Sequence, residues 1–517
     1  MRKKTSSSKR TLSVLALSVC FCLSLSAQTG TSEAWTTNSS KRMEHQAEQA
    51  LEKSSKASVC INLYPEDTFQ QIDGFGWMLT QGSARLLMQL PADKRHAVLE
   101  ELFARDQLNA SMVRVAIGAC DLSDSDYTYS ASQDETLSNF AIAEQDLTTV
   151  IPVLQEILSI NPNVKVLAVP WTAPVWMKEN TIGNNGYSGG TLKTAYYNLY
   201  ALYFCKYIET MVSLGIPVWG VSVQNEPLNS YNNPSMTWTK EAMYKFIAGS
   251  LGPKLNDNGH GGVRIIAYDH NCDVTDFPVY VAKSKYVYGT AFHLYAGDIS
   301  ALSTVHSTTG KPVLFTEQYT GKDGSFAGDL NWHMLNVAIG ALNNMSTTVI
   351  EWNLCSDPDC SIHTSGGCST CKGALTINGS SLTSRNVSYY IIGHVSRVID
   401  PEAVRIKAVS SASGLAYTAA LNPDGTTGVV VYNDTDQNRS LSIALPDSNG
   451  QTVFASHTIP AKGVLSVRIR PDTRTALDNT TAPARTTKHI ENGQLVIEHN
   501  GQRLNVLGQM VNYTNKW

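Results

Sequence analysis

Residues 218–227 read VWGVSVQNEP. β-Branched and aromatic residues dominate Val218–Val223, a composition that suits a pleated, buried strand. The run then ends in an amide pair and a carboxylate, Gln224, Asn225 and Glu226, before Pro227 closes it. Taken alone, Glu226 is a solvated turn residue; at the mouth of a barrel it is a catalytic group. The surrounding pattern decides between these. A helix-like stretch over 194–214 ends at Gly215-Ile216-Pro217, immediately upstream. Similar short apolar runs occur at 72–77, 112–118, 164–171, 263–268, 286–295, 312–317 and 347–354. Helix-like stretches separate several of them, including 143–160, 240–255 and 331–343. Eight strand candidates alternating with helices predict a (β/α)8 barrel, an α/β TIM barrel, over 72–387, with 218–223 as its fourth strand. A doubly wound open sheet is the alternative, but no Gly-rich phosphate loop supports it.

The chain has 517 residues, 42% hydrophobic and 16% charged, with a formal net charge of -4. This is a globular composition with material for two or three domains. It carries no basic surface of the kind that nucleic acid requires. Arg2, Lys3, Lys4, Lys9 and Arg10 precede an apolar run from Leu12 to Leu25, with small residues at Ser24 near its end and at Ser26 and Ala27 after it. Residues 1–27 thus read as a signal peptide. They predict an exported protein (secreted, periplasmic or at the cell surface) with no integral membrane span. Cys20 in LSVC offers a lipid-anchor reading, which the bulky Val19 disfavours.

Residues 28–56 read as a flexible polar segment, and 57–71 as strands that join a later sheet. From 388 to 471, runs such as LAYTAALN, TGVVVYND and GVLSVRIR between turn signals predict an antiparallel β-sandwich. A linker over 472–488 and a short β unit over 489–517 follow. Cys355, Cys360, Cys368 and Cys371 lie in one Gly/Ser/Asp-rich loop. Export favours disulfides there, in any of three pairings; a zinc loop including His363 is the competing reading.

Barrel chemistry sits at the C-terminal ends of the strands. There the sequence presents Arg114 and Asp121, Trp171, Asn225 and Glu226, His293 and Tyr295, Glu317, and finally Glu351, Trp352 and Asn353. Glu226 and Glu317 end the fourth and seventh strands. Two facing carboxylates are what glycoside hydrolysis needs, one protonated to release the leaving sugar and one ionised.

At this point the chain resembles glycoside hydrolase family 30. VSVQNEP resembles the family's acid/base segment and VLFTEQY its nucleophile segment. DGFGWMLTQGSARLL (73–87), MVRVAIGACDLSDSDYTY (112–129), PWTAPVWMKEN (170–180), AFHLYAGD (291–298), VIEWNLCSDPD (349–359) and YYIIGHVSRVIDPEAVRI (389–406) follow the family in order and spacing. The resemblance implies Glu226 as acid/base and Glu317 as nucleophile. It implies that Asp121, Trp171, Asn225 and Trp352 line the sugar subsite, Asn225 on the sugar 2-OH. Arg114, His293 and Tyr295 then orient the carboxylates and keep Glu317 ionised and Glu226 protonated.

It also implies a retaining hydrolase of β-glucosidic linkages that needs neither metal nor organic cofactor. Its partners would be a β-glucan polysaccharide, or a glucoside or glucosyl-lipid substrate. The GGC-x2-C loop looks like the glucanase branch of the family, which favours an endo-β-1,6-glucanase. A glucosylceramidase, an exo-β-glucosidase or a β-xylosidase is the alternative, and a non-catalytic carbohydrate-binding protein a more distant one. Two departures stand out: GFGW replaces the family's GFGG, and Leu122 replaces an aromatic residue.

Overall fold

The GFGWM run that begins the barrel shows why its strands need particular residues. Gly76 lies so close to the second strand that a Cβ there would meet the Met112 carbonyl oxygen at 1.8 Å. Trp77, its neighbour, faces the other way: it is buried, and its Nε1 donates to Ser388 Oγ at 3.1 Å. The tryptophan that departs from the family pattern therefore braces the helix layer and stays out of the barrel mouth.

A computed structural model of the chain describes residues 30–55, 57–447 and 449–471, together with the backbone of Thr487–Glu491, Gln494–His499 and Gln502–Leu504. The predicted signal peptide, Cys20 and most of the linker lie outside the described residues. No helix among the described residues is long and apolar enough to cross a membrane.

Eight parallel strands close into a barrel, and each pairs with its neighbours in sequence order. They are Gly74–Met78, Met112–Ala116, Lys165–Val169, Val218–Ser222, Arg264–Cys272, Val287–Gly297, Val313–Glu317 and Ser346–Asn353. The closed ring excludes the open doubly wound sheet.

Side chains alternate along a strand with period two, and this period builds the interior in layers. Met112, Leu167, Ile266, Ala291, Leu314 and Ile350 form one aliphatic cluster. Two residues further along, four of these strands place Arg114, His293, Thr316 and Trp352, all buried. The apolar layer is thus a floor on which the next, polar layer stands.

Nine strands make the second sheet, in the order 44–50, 31–37, 463–470, 427–433, 415–421, 404–409, 59–71, 439–446, 452–459. Its core is aliphatic, built on Ile61, Val429, Val431, Ile443, Leu465 and Val467. Two expectations change here. The segment expected to be flexible, 28–56, contributes the strands Thr31–Thr37 and Glu44–Ala50. Thr31–Thr37 pairs along its whole length with Gly463–Arg470, and Trp35 is buried. Glu44–Ala50 is an exposed edge strand, whose polar composition hides it in the sequence. The sandwich also begins later than 388. Val387–Ser396 is a helix, buried at every residue, and the first sheet strand after it starts at Val404. A run apolar on all sides has no two-residue alternation to mark it as strand or helix.

The C-terminal region forms a separate unit, in which Thr487–Glu491, Gln494–His499 and Gln502–Leu504 make a three-stranded antiparallel sheet.

Candidate active site

Arg114, in the second strand, is fully buried. Its guanidinium makes a short ion pair with Glu317 through Nη1, and through Nη2 donates to Asn225 Oδ1 at 2.6 Å and Asp269 Oδ2 at 3.1 Å. Its carbon centre lies 5.1 Å from the Trp171 ring and 5.9 Å from the Trp352 ring, and those two rings stack on each other at 5.5 Å. One side chain thereby ties together the ends of strands two, three, four, five, seven and eight.

Tyr295 Oη donates to Glu317 Oε1 at 3.0 Å. The Tyr295 ring is 37% exposed, but its hydroxyl end is shielded from solvent; that shielding, with the charges of Glu317 and Glu226, holds the phenol well above its usual range, so it remains a donor. On the other carboxylate, Glu226 Oε2 accepts from Asn229 Nδ2 at 2.8 Å, and Oε1 lies 3.3 Å from His293 Nδ1. His293 Nε2 lies 3.1 Å from Asp269 Oδ1, and Thr316 Oγ1 donates to the same Asp269 oxygen at 2.6 Å. The backbone is shaped for this arrangement. Glu226, Tyr268 and Asp269 all have positive φ, and the Glu226 N–H donates to the Asp269 carbonyl at 3.0 Å. Non-glycine residues held there carry strain that surrounding contacts must offset.

Burial alone would lower the His293 pKa. The carboxylates of Glu317, Asp269 and Glu226 outweigh it and push the imidazole up to about 9. Burial likewise pushes the carboxyls of Glu226 and Glu317 up. At Glu226 the hydrogen bond and charge of His293, helped by His270 and Asn229, reverse this and hold it below its usual value. At Glu317, His293 and Arg114 pull down, yet burial and the charge of Glu226 leave it above its usual value. The two shifts thus run opposite to the expected ones, Glu226 down and Glu317 up, with the raised imidazole of His293 facing Glu226. Glu226, His293 and Glu317 also offer three ligand atoms within 4.8 Å of one another.

Asp121 is buried beside this pair, and burial with the charges of Glu317 and Glu226 pushes it up to about 8. Among the described residues, Asp121 Oδ1 and Trp171 Nε1 are buried without a hydrogen-bond partner. Such atoms cost free energy unless something satisfies them, and sugar hydroxyls have the right chemistry. Glu351 turns away, its Oε1 2.7 Å from His333 Nδ1 on the Phe326–His333 helix. Asn353 Oδ1 accepts from Thr80 and Ser83. These two residues at the end of strand eight serve the scaffold.

The cysteine loop walls the site. Cys368 and Cys371 form a disulfide, while Cys355 and Cys360 are free thiols. His363 Nδ1 faces the Thr364 carbonyl at 2.8 Å, and among the described residues the loop sulfurs and this imidazole do not come together as a metal-ligand set. Thr364 N–H donates to the Asp121 carbonyl at 2.9 Å, and a Cβ at Gly367 would meet that same oxygen at 2.3 Å. Leu122 lies in the apolar cluster with Trp171, Trp352 and Cys371, behind the wall.

All nine sequence-predicted residues gather here: Arg114, Asp121, Trp171, Asn225, Glu226, His293, Tyr295, Glu317 and Trp352. Sequence reasoning missed Asp269, which holds both Arg114 and His293, and Asn229. The signal for Asp269 was its place directly after the fifth apolar run, in VRIIAYDHN (263–271).

A closed eight-stranded barrel with one buried carboxylate just beyond its fourth strand and another ending its seventh has the architecture of a barrel glycosidase. The profile of the "Glycosyl hydrolase family 30 TIM-barrel domain" matches residues 72–399, and that of the "Glycosyl hydrolase family 30 beta sandwich domain" matches 402–467. The chain belongs to glycosyl hydrolase family 30, and it is a glycoside hydrolase. It is 35% identical over 392 residues to an endo-1,6-beta-D-glucanase of Aspergillus fumigatus, covering 70% of this chain and 78% of that one. It is 25% identical over 442 residues to the lysosomal acid glucosylceramidase of Mus musculus, covering 80% and 84%. The solved structure of the endo-beta1,6-glucanase BT3312 superposes with a TM-score of 0.78 at 33% identity, covering 84% of this chain and 99% of that one.

Proposed function

We propose that this protein is an exported endo-β-1,6-glucanase acting with retention of configuration. The observation that carries the mechanism is the spacing of the pair: one oxygen of each glutamate lies within 4.8 Å of the other. Retaining glycosidases hold their carboxyls at roughly 5–5.5 Å, whereas inverting ones need about 6.5–9.5 Å to admit a water. Similarity to endo-1,6-glucanases at 35% and 33% identity supports the linkage, and the signal-like N-terminus supports export.

Glu317 Oε attacks the anomeric carbon and forms a covalent glycosyl-enzyme while the bond to the leaving oxygen breaks. Arg114 and Tyr295 hold the attacking carboxylate in place. Proton transfer from His293 Nδ1 to Glu226 leaves the imidazole neutral, with its Nε2–H still on Asp269, and converts Glu226 to the acid. Glu226 then gives that proton to the leaving oxygen. In the second half Glu226 takes a proton from water, which attacks the anomeric carbon and releases Glu317. Asn225 keeps its Oδ1 on Arg114; its Nδ2 serves the sugar 2-OH, a contact that strengthens in the transition state. Asp121 and Trp171 bind other hydroxyls.

Incubation with β-1,6-glucan, β-1,3-glucan, xylan and glucosylceramide, followed by product analysis, tests the reading. Short β-1,6-linked oligosaccharides from the first substrate alone are the expected result. Glucose from glucosylceramide alone would replace the linkage assignment.

A further inference from the structure

Beside Glu226 the structure carries two features that the chemistry described so far does not use. Tyr231 is 88% exposed, on a loop whose backbone is nonetheless fixed. Asn229 donates to Glu226 Oε2, while its own Oδ1 accepts from the Tyr231 N–H at 3.0 Å and the Asn232 N–H at 3.3 Å. Further along, Ser235 N–H donates to the Tyr187 carbonyl and Thr237 N–H to the Gly190 carbonyl, which ties the loop to the Lys178–Gly183/Ser188–Leu192 hairpin. A Cβ at Gly189 would meet both Ile182 Cγ1 at 2.7 Å and the Ser230 carbonyl at 3.4 Å. Ile182 and Leu228 are exposed as well, so two loops present apolar side chains beside the acid/base. Exposed apolar groups on a fixed backbone mark a surface made to be covered.

The second feature is His270, which follows Asp269 on the fifth strand. It is only 7% exposed, yet its Nδ1 finds no hydrogen-bond partner among the described residues. The carbonyl of Asp269, the residue before it, accepts from the Glu226 N–H at 3.0 Å, which places His270 beside the acid/base. An aromatic face that water now covers and a buried polar atom without a partner suit the two sides of a pyranose. The ring's C–H face is apolar, and its rim carries hydroxyls.

We propose that Tyr231 and His270 form the subsite for the departing glucosyl unit. Tyr231 stacks on its C–H face, and His270 Nδ1 bonds one of its hydroxyls. The placement follows from the chemistry, because Glu226 protonates the leaving oxygen and the unit attached to that oxygen must lie on its side. The inference rests on the glucan reading above for the identity of the sugar.

Tyr231→Ala tests it on two substrates. A β-1,6-linked glucotriose needs the leaving-side subsite, whereas β-gentiobiosyl fluoride fills only the other side and expels fluoride. The expected result is a fall in kcat/KM of about tenfold on the trisaccharide, the size of one lost aromatic contact. Fluoride release should stay within twofold, and Tyr231→Trp should restore the trisaccharide rate. His270→Ala, which also removes an imidazole from beside Glu226, should cost the trisaccharide more than the fluoride. Equal losses on both substrates, or none on either, overturn the subsite. Should the unaltered protein expel fluoride but spare the β-1,6-linked trisaccharide, the linkage assignment fails. The split is then read on the β-1,3- or β-1,4-linked trisaccharide it does cut; cutting none overturns the subsite as well.

Discussion

Glu317 ends the seventh strand of the barrel and Glu226 lies just beyond the fourth, but different kinds of partner hold them. Glu317 takes its hydrogen bonds from Arg114 and Tyr295. A guanidinium keeps its protons at any ordinary pH, and this phenol is held well above its usual range, so both are permanent donors. Glu226 is held by Asn229 and His293. An imidazole is the side chain whose proton moves most readily near neutral pH. A nucleophile needs fixed donors to hold its charge in place. An acid/base that must give up a proton and recover it needs a partner that can do the same. The contrast between the two surroundings supports the proposed roles.

The largest expected effect tests the fixed side. Glu317→Gln should lower kcat by at least about 10^4-fold, as loss of a nucleophile does elsewhere, with the melting temperature little changed. On the mobile side, Glu226→Ala should slow glucan cleavage by about 10^2- to 10^4-fold, the usual weight of general acid catalysis. Aryl glucosides with activated leaving groups should suffer much less in their first step. Equal losses on both leaving groups would remove Glu226 from the acid role.

A smaller effect sharpens the part played by His293. Its pKa is raised to about 9 by Glu317, Asp269 and Glu226. The proton that supplies the acid is therefore present at neutral pH and lost as pH rises through about 9. Asp269→Asn removes one of those carboxylates, and the alkaline limb of kcat/KM should shift to lower pH by about one unit. An unmoved limb would show that another group sets it.

The smallest effect concerns Asp121. Burial raises it to about 8, while an unfolded chain ionises it near 4. Between those values the unfolded state has released a proton that the folded state retains, so this group's contribution to stability falls as pH rises from about 4 to about 8. Asp121→Asn should therefore melt a few degrees higher than the unaltered protein at pH 8 and equally at pH 4, while losing sugar binding. Equal melting curves at both values would contradict the buried, protonated state.

Much of this was legible in the sequence, for definite reasons. The barrel announced itself because its strands are buried on both faces and read as apolar runs with polar tips, as in VWGVSVQNEP. The two-residue period then carried Arg114, His293 and Trp352 into the layer above the apolar floor. Legibility failed where burial was not written in composition. Thr31–Thr37 is mostly polar and becomes a strand only through its full pairing with Gly463–Arg470. Asp269 sits in a left-handed backbone conformation after its apolar run, and nothing local reveals that it faces both Arg114 and His293. The protonation pattern was hidden too, because it depends on distances among four buried groups from four strands.

The central claim is that Glu317 is the nucleophile and Glu226 its acid/base. A 2-deoxy-2-fluoro-β-glucoside with an activated leaving group slows release of the glycosyl-enzyme far more than its formation, so the bound sugar can be located by peptide mass spectrometry. The label is predicted on Glu317, in the peptide containing VLFTEQY, with the Glu317→Gln protein unlabelled. A label on Glu226, or rapid hydrolysis with inversion and no labelled peptide, would contradict the account.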